Sequence, residues 1–199
     1  GLCRTEHMFL HPQRLQAVRQ MLLNAEPAEE WRREHLDLAE DPSGAPELPT
    51  RVEEFYTALE RVRQLQTEDF TRILGVMGRR PVIIRLLDAP LHEFLPPYET
   101  LLTELVELRA RRAALAEIAG KEAFLRLVDS LREANPMLGH RGCRLGLSFP
   151  AIYQMQVEAI ITAAANLIKE GVEVHPEIMV PLVSTLADSA ELFGLAGSH

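Results

Sequence analysis

PVIIRLLDAPLHEFLPP, residues 81–97, decides how this chain folds. From Val82 to Leu87 the side chains are aliphatic and often β-branched, with no polar alternation, which is the composition of a strand buried on both faces. Arg85 interrupts the run, and Asp88 follows three residues later. A guanidinium does not belong in the middle of a buried strand. Arg85 is therefore expected where the strand surfaces.

Working outward, the flanking segments have helical spacing. Val52, Phe55, Tyr56, Leu59, Val62 and Leu65, then Phe70, Ile73, Leu74 and Met77, form one long run. HPQRLQAVRQMLL puts Pro12 near a helix start and Leu15, Val18, Met21 and Leu22 on one face. A further helix is expected over Ala28 to Ala39. DPSGAPELPT, residues 41–50, carries three prolines and a glycine and is expected to be an exposed loop. Downstream, Tyr98 to Ile118 reads mostly as helix, and Glu122 to Ala134 as another that Asn135-Pro136 stops. Pro150 to Lys169 is a long helix with Ile152, Met155, Ala159, Ile160, Ala163 and Leu167 inward, ended by Gly171. Thr185 to Phe193 is a short one, capped by Ser184 and stopped by Gly194.

Three more strands are expected, at Leu2–Arg4, Gly142–Leu145 and Ile178–Val183. Strands that are buried on both faces and alternate with helices imply a parallel sheet with helical crossovers, as in doubly wound folds or a (β/α)8 barrel. A whole barrel takes about 250 residues and eight strands. Four strands in 199 residues make about half of one.

Composition excludes several classes. The net charge of −8 argues against nucleic acid or an anionic membrane as the main partner. No apolar run approaches the length of a membrane span, and no basic start leads into an apolar stretch. Cys3 and Cys143 form no CxxC or Cys/His cluster and read as reduced cytoplasmic thiols, Cys143 as a small buried residue. GLCRTE opens without Met and resembles the end of a strand, so residues are expected in front of it.

Three of the four strands end on arginine: Arg4, Arg85, and Arg141 or Arg144 in GHRGCRLG. In parallel α/β proteins the carboxyl ends of the strands converge on the ligand-binding face. Guanidiniums gathered there suit a dense anion, because the planar fork pairs with phosphate or carboxylate through two bonds at once. Each arginine also has a purely structural reading, Arg85 paired with Asp88 or Glu93 and Arg4 with Glu6. Glu6, Asp88 and Glu93 could equally orient arginines or bind a cation. No GxxxxGK[ST] loop is present, so no P-loop nucleotide site is indicated. Pro96 stands where HExxH, begun at His92-Glu93, needs its second histidine. His140 beside Arg141 reads as an exposed loop residue, and Arg109, Arg111 and Arg112 as a solvated helix face.

GLCRTEHMF (1–9), VIIRLLDAPLHEFLP (82–96), NPMLGHRGCRLG (135–146) and PEIMVPLV (176–183), in this order, resemble the C-terminal phosphoenolpyruvate/pyruvate-binding domain of the pyruvate, phosphate dikinases. That domain has relatives in phosphoenolpyruvate synthase and in enzyme I of the sugar phosphotransferase system. The resemblance implies a partial (β/α)8 barrel over 1–199, with about four parallel strands; the stretch at about 24–60 departs from the family in being longer and richer in proline, and is read as an extra helical insertion. It also implies a parent reaction, ATP + pyruvate + phosphate giving AMP + phosphoenolpyruvate + pyrophosphate, carried by a phosphohistidine on another domain. By motif, Arg4, Arg85 and Arg141 correspond to arginines that hold the transferring phosphoryl group, with Asp88 beside them; Arg144 corresponds to a structural residue.

The family's Mg2+ ligands and its late acid/base cysteine lie on motifs that this chain does not carry. The resemblance therefore implies no metal ligand and no ATP site here, and no turnover by the chain alone. The partners it implies are phosphoenolpyruvate, pyruvate or phosphate, together with the rest of a dikinase chain or a second copy forming a dimer. Two other readings stand beside this one: a non-catalytic anion-binding or assembly module derived from the same barrel, and a small enzyme whose site a partner's carboxylates complete.

Overall fold

A computed structural model describes residues 1–35, 47–130 and 141–185. Two compact units divide the chain, Gly1–Ala89 with Arg141–His199, and Pro90–His140.

In the first unit Pro81, which has no N–H to give a ladder, precedes the central strand. The elements run β1 (Leu2–Arg4), α1 (Glu6–Phe9), α2 (Pro12–Leu23), α3 (Ala25–Glu34), α4 (Thr50–Met77) and β2 (Val82–Arg85). After the second unit come α7 (Cys143–Ser148), α8 (Pro150–Lys169) and β3 (Pro176–Met179). The strands form a parallel sheet in the order β1-β2-β3. Leu2, Cys3 and Arg4 face Ile83, Ile84 and Arg85 across one ladder. Val82 to Arg85 face Pro176 to Met179 across the other.

α4 is 28 residues long and buries Val52, Phe55, Ala58, Val62, Gln66, Phe70 and Leu74, one stripe at three- and four-residue steps. It packs on α8 and α2. α8 begins with Pro150 at its first position and buries Ile152, Met155, Ala159, Ile160, Ala163 and Leu167, as its spacing predicts. Phe9, Met21, Phe55, Phe70, Leu74, Ile84, Leu145, Ile152 and Ile160 are among the largest fully buried side chains of the unit.

Four expectations are corrected. Gly142–Leu145 is not a strand: Cys143 opens α7, so the sheet has three described strands rather than four. β2 ends at Arg85 instead of Leu87. β3 covers Pro176–Met179 instead of Ile178–Val183, because the chain turns at Pro181 and Leu182, where Leu182 has φ 60°. The third helix starts at Ala25, earlier than Ala28. The expected ends of that helix and of the helix to Ala134, the stop at Asn135-Pro136, the helix Thr185–Phe193 beyond its first residue, and most of DPSGAPELPT lie outside the described residues.

In the second unit a single 3-10 turn, Leu91–Phe94, is followed by α5 (Tyr98–Ala110) and α6 (Leu115–Ser130). The expected helix to Ile118 breaks at Arg112, which takes a left-handed φ of 53°. Helix then resumes at Leu115, earlier than Glu122. α5 and α6 pack together, joined by Arg109–Glu122 and Arg111–Glu117 at 2.6 Å and by Lys121–Glu104. These arginines are largely exposed, as a solvated face requires. No described helix is long and apolar enough to cross a membrane.

Candidate functional site

The carboxyl ends of β1 and β2 lie side by side because the two strands are parallel and in register. Their last residues are Arg4 and Arg85. Residues that face each other across a parallel ladder share a sheet face, so two guanidinium-bearing stems start about 5 Å apart. Like charges this close repel. The structure answers with carboxylates on one of the two.

Arg85 is the better-held arginine. Its Nη2 donates to Glu6 Oε1 at 3.1 Å, and its Nη1 lies 3.3 Å from Asp88 Oδ2. Asp88, almost wholly buried, uses its other oxygen on Arg141, whose Nε donates to Oδ1 at 3.1 Å. Glu6 Oε1 also accepts the Asp88 backbone N–H at 3.1 Å. One aspartate thus sits between two arginines, and a second carboxylate fixes both Arg85 and the aspartate's own backbone. Arg85 Nε is buried and finds no acceptor among the described residues. An unmet buried donor of this kind costs about 1–3 kcal/mol.

Arg141 reaches this cluster from the turn before α7. Gly142, at φ 57°, makes that turn. A Cβ there would meet Pro181 O at 3.0 Å and both Asp88 Oδ1 and Leu182 Cβ at 3.1 Å. Cys143 anchors the turn on its other side. Its N–H donates to Pro181 O at 2.9 Å, and its thiol to Leu182 O at 2.9 Å. The segment after β3 thus braces the loop that carries Arg141. Cys143 is buried, as its sequence context suggests.

Beneath the charged cluster lies a buried polar layer. Thr5 Oγ1 donates to Arg85 O at 2.9 Å, and Tyr153 OH donates to Leu87 O at 3.0 Å. Gln156 Oε1 accepts the Leu87 N–H at 2.9 Å, while its Nε2 donates to Thr5 Oγ1 at 3.3 Å. Burial pushes the Tyr153 phenol well above its ordinary pKa; Asp88, Cys143 and Glu6 add to the rise and Arg85 opposes it. Burial, with Glu6 and Asp69 adding, likewise raises the Cys3 thiol.

Arg4 is exposed, and among the described residues no carboxylate pairs with it. The Arg4–Glu6 pair of the purely structural alternative does not form, because Glu6 turns to Arg85. Arg4 also lines a groove of about 500 Å3 with His7, His11, Arg72 and the Arg14–Asp69 ion pair. Arg4, Arg85 and Arg141 therefore all lie at the carboxyl end of the sheet, with Arg85 and Arg141 joined through Asp88. Arg144 is exposed at the start of α7.

Sequence reasoning anticipated Glu6 and Asp88 as arginine partners but missed Thr5, Tyr153 and Gln156. Gln156 had a legible signal, a polar residue set in the inward stripe of α8 between Ile152 and Ile160. The donor set does not suit the divalent cation that the resemblance implies for the family. Asp88 and Glu6 already carry guanidiniums, and no described group of three His, Cys, Asp or Glu side chains could hold a metal.

Comparison with known proteins adds to this geometry. The family described as PEP-utilising enzyme, PEP-binding domain, matches residues 1–195. Pyruvate, phosphate dikinase of Entamoeba histolytica is 40% identical over 194 residues, covering 96% of this chain and 19% of its own. The Treponema pallidum protein of that name is 40% identical over 187 residues, covering 92% of this chain and 17% of its own. Pyruvate, phosphate dikinase 1, chloroplastic, of Oryza sativa is 42% identical over 186 residues, 93% of this chain and 16% of its own. The chain thus spans less than a fifth of the length of these relatives.

Proposed function

The chain belongs to the PEP-utilising enzymes, in their PEP-binding domain, and we propose that it forms the arginine-bearing part of a phosphoenolpyruvate/pyruvate site of the dikinase type. In this reading the three-stranded sheet is a section of a (β/α)8 barrel with a helical insertion at about 24–60. The longer protein would convert ATP, pyruvate and phosphate into AMP, phosphoenolpyruvate and pyrophosphate. A phosphohistidine on another domain would bring the phosphoryl group to this face. Arg4, Arg85 and Arg141 would hold its oxygens, and Asp88 would set the angle of two of them. Donors fixed before the reaction lose little in reorganisation as charge moves onto those oxygens.

The observation that carries the reading is the placement of Arg4 and Arg85 as register partners at the strand ends, with Arg141 tied to the same aspartate. The chain alone is proposed to bind without turnover. Calorimetric titration with phosphoenolpyruvate tests this directly. Salt-sensitive binding that Arg85→Ala weakens is the expected result, and equal affinity in both proteins would sink the reading.

A second reading, a non-catalytic anion-binding or assembly module, is favoured by one observation. Arg85 and Arg141 are already neutralised by Glu6 and Asp88. The two readings part on complementation with the missing dikinase segments. Restored turnover supports the catalytic reading, and binding without turnover supports the module.

A further inference from the structure

We infer that Gln156 is the positioning residue that sets the phosphate-side arginines of the proposed site, an inference that rests on the phosphoenolpyruvate-site reading. Gln156 is fully buried on the inward face of α8. An amide in that place is costly unless both of its ends are bonded. Both are. Its oxygen takes the Leu87 N–H and its nitrogen reaches Thr5 Oγ1, which in turn donates to Arg85 O. Two side chains, Gln156 and Thr5, therefore join in one chain of bonds that holds the backbone on both sides of Leu86.

The need for such a link follows from where β2 stops. The ladder ends at Arg85, and Leu86 N–H makes one more bond, to Met179 O at 3.0 Å. Beyond it the backbone has no described strand to pair with. Gln156 and Tyr153 take both polar groups of Leu87, and Glu6 takes the N–H of Asp88. The Asp88 carboxylate consequently has a fixed origin, and both Arg85 and Arg141 are aimed from it. A shift of about 1 Å at this point would turn two guanidiniums at once, and displacements of that size are costly in a preorganised site. Packing does not require an amide here, because methionine has nearly the same length and would suit the surrounding apolar stripe.

The test uses the full chain and three variants. Gln156→Met keeps the volume and removes both bonds. Thr5→Val cuts the same connection at its other end at nearly constant volume. Ile160→Val, one turn further along α8, lowers stability without touching the connection. Phosphoenolpyruvate affinity is measured by calorimetry, and the Nε–H resonances of Arg85 and Arg141 by 15N NMR, at a temperature where circular dichroism shows each variant folded. Gln156→Met is expected to weaken phosphoenolpyruvate by about fivefold or more, the equivalent of one lost hydrogen bond, and to move both resonances. Thr5→Val is expected to act in the same direction, and it carries the test if Gln156→Met does not fold. Ile160→Val is expected to change neither readout. Unmoved resonances in Gln156→Met and Thr5→Val, or equal changes in Ile160→Val, would overturn the inference. If the wild type binds no phosphoenolpyruvate, the site reading fails, while the resonances still decide whether Gln156 positions the arginines.

Discussion

Arg4 and Arg85 face each other as the last residues of neighbouring parallel strands, yet Glu6 and Asp88 grip Arg85 while Arg4 is exposed. The pair is therefore asymmetric in what it contributes. Arg85 is part of the folded unit's internal charge balance, and Arg4 adds surplus positive charge at the surface. Different consequences follow for each when it is removed.

Arg85→Ala is expected to cost stability as well as anion affinity. It leaves Glu6 and Asp88 short of a partner, and losing one member of a partly buried ion pair costs roughly 1–3 kcal/mol. Arg4→Ala is expected to leave stability within about 0.5 kcal/mol, as exposed substitutions do, and to weaken phosphoenolpyruvate all the same. Urea unfolding combined with calorimetry separates the two effects. Equal stability losses would contradict the asymmetry.

Asp88→Asn probes the hub. The variant keeps the shape and removes the negative charge that Arg85 and Arg141 share. Stability should fall by about 2–3 kcal/mol, and phosphate should bind more weakly, because the two guanidiniums lose the carboxylate that aims them. Tighter phosphate binding in a folded Asp88→Asn protein would show that Asp88 competes for the arginines more than it orients them.

Gly142→Ala tests the turn that presents Arg141. A left-handed φ of 57° combines with a Cβ held 3.0 Å from Pro181 O, so strain and crowding add. A loss of about 1–3 kcal/mol is expected. Thermal unfolding reads it, and a change below about 0.5 kcal/mol would mean that the turn relaxes freely.

Alkaline pH should destabilise the fold. Burial raises the Tyr153 phenol above its ordinary 10.0 and the Cys3 thiol above 9.0. Each group thus holds its proton more tightly when folded, so its contribution is intact below the ordinary value and is lost as pH rises past it. Stability measured from pH 7 to 11 is expected to decline from about 9 upward, at most about 1.4 kcal/mol per pH unit for each group. Tyr153→Phe should flatten the part above 10. An unchanged slope in that variant would assign the effect elsewhere.

Much of the fold could be read from sequence because its long elements repeat one signal many times. α4 and α8 carry apolar residues at helical steps over several turns, and the structure places both helices where that spacing put them. Short segments offer no such repetition. Gly142-Cys143-Arg144-Leu145 resembles the strand GLCR in composition, but four residues cannot distinguish a period of two from one of 3.6. The backbone is decided by Gly142 and by the turn at 181–182, which accepts both the N–H and the thiol of Cys143. The expected strand Ile178–Val183 runs too far along because Val180 to Val183 is apolar, although Pro181 already breaks the ladder. At the site, the arginines were visible as charges set into apolar runs. Thr5 and Tyr153 were not, since a threonine beside a strand and a tyrosine in a helix carry no mark of the backbone groups they hold.

Asp88 and Arg141 are 53 residues apart in sequence and 3.1 Å apart in space, and the chain leaves the first unit just after one and rejoins it at the other. Closing a longer loop between fixed ends costs little, about 0.6 kcal/mol for each doubling of its length. The stretch from Pro90 to His140 is thus a natural cassette. Both of its junctions lie at the Asp88–Arg141 pair and neither lies inside a strand, so a change in its length or sequence is expected to leave the pairing of β1, β2 and β3 as it is.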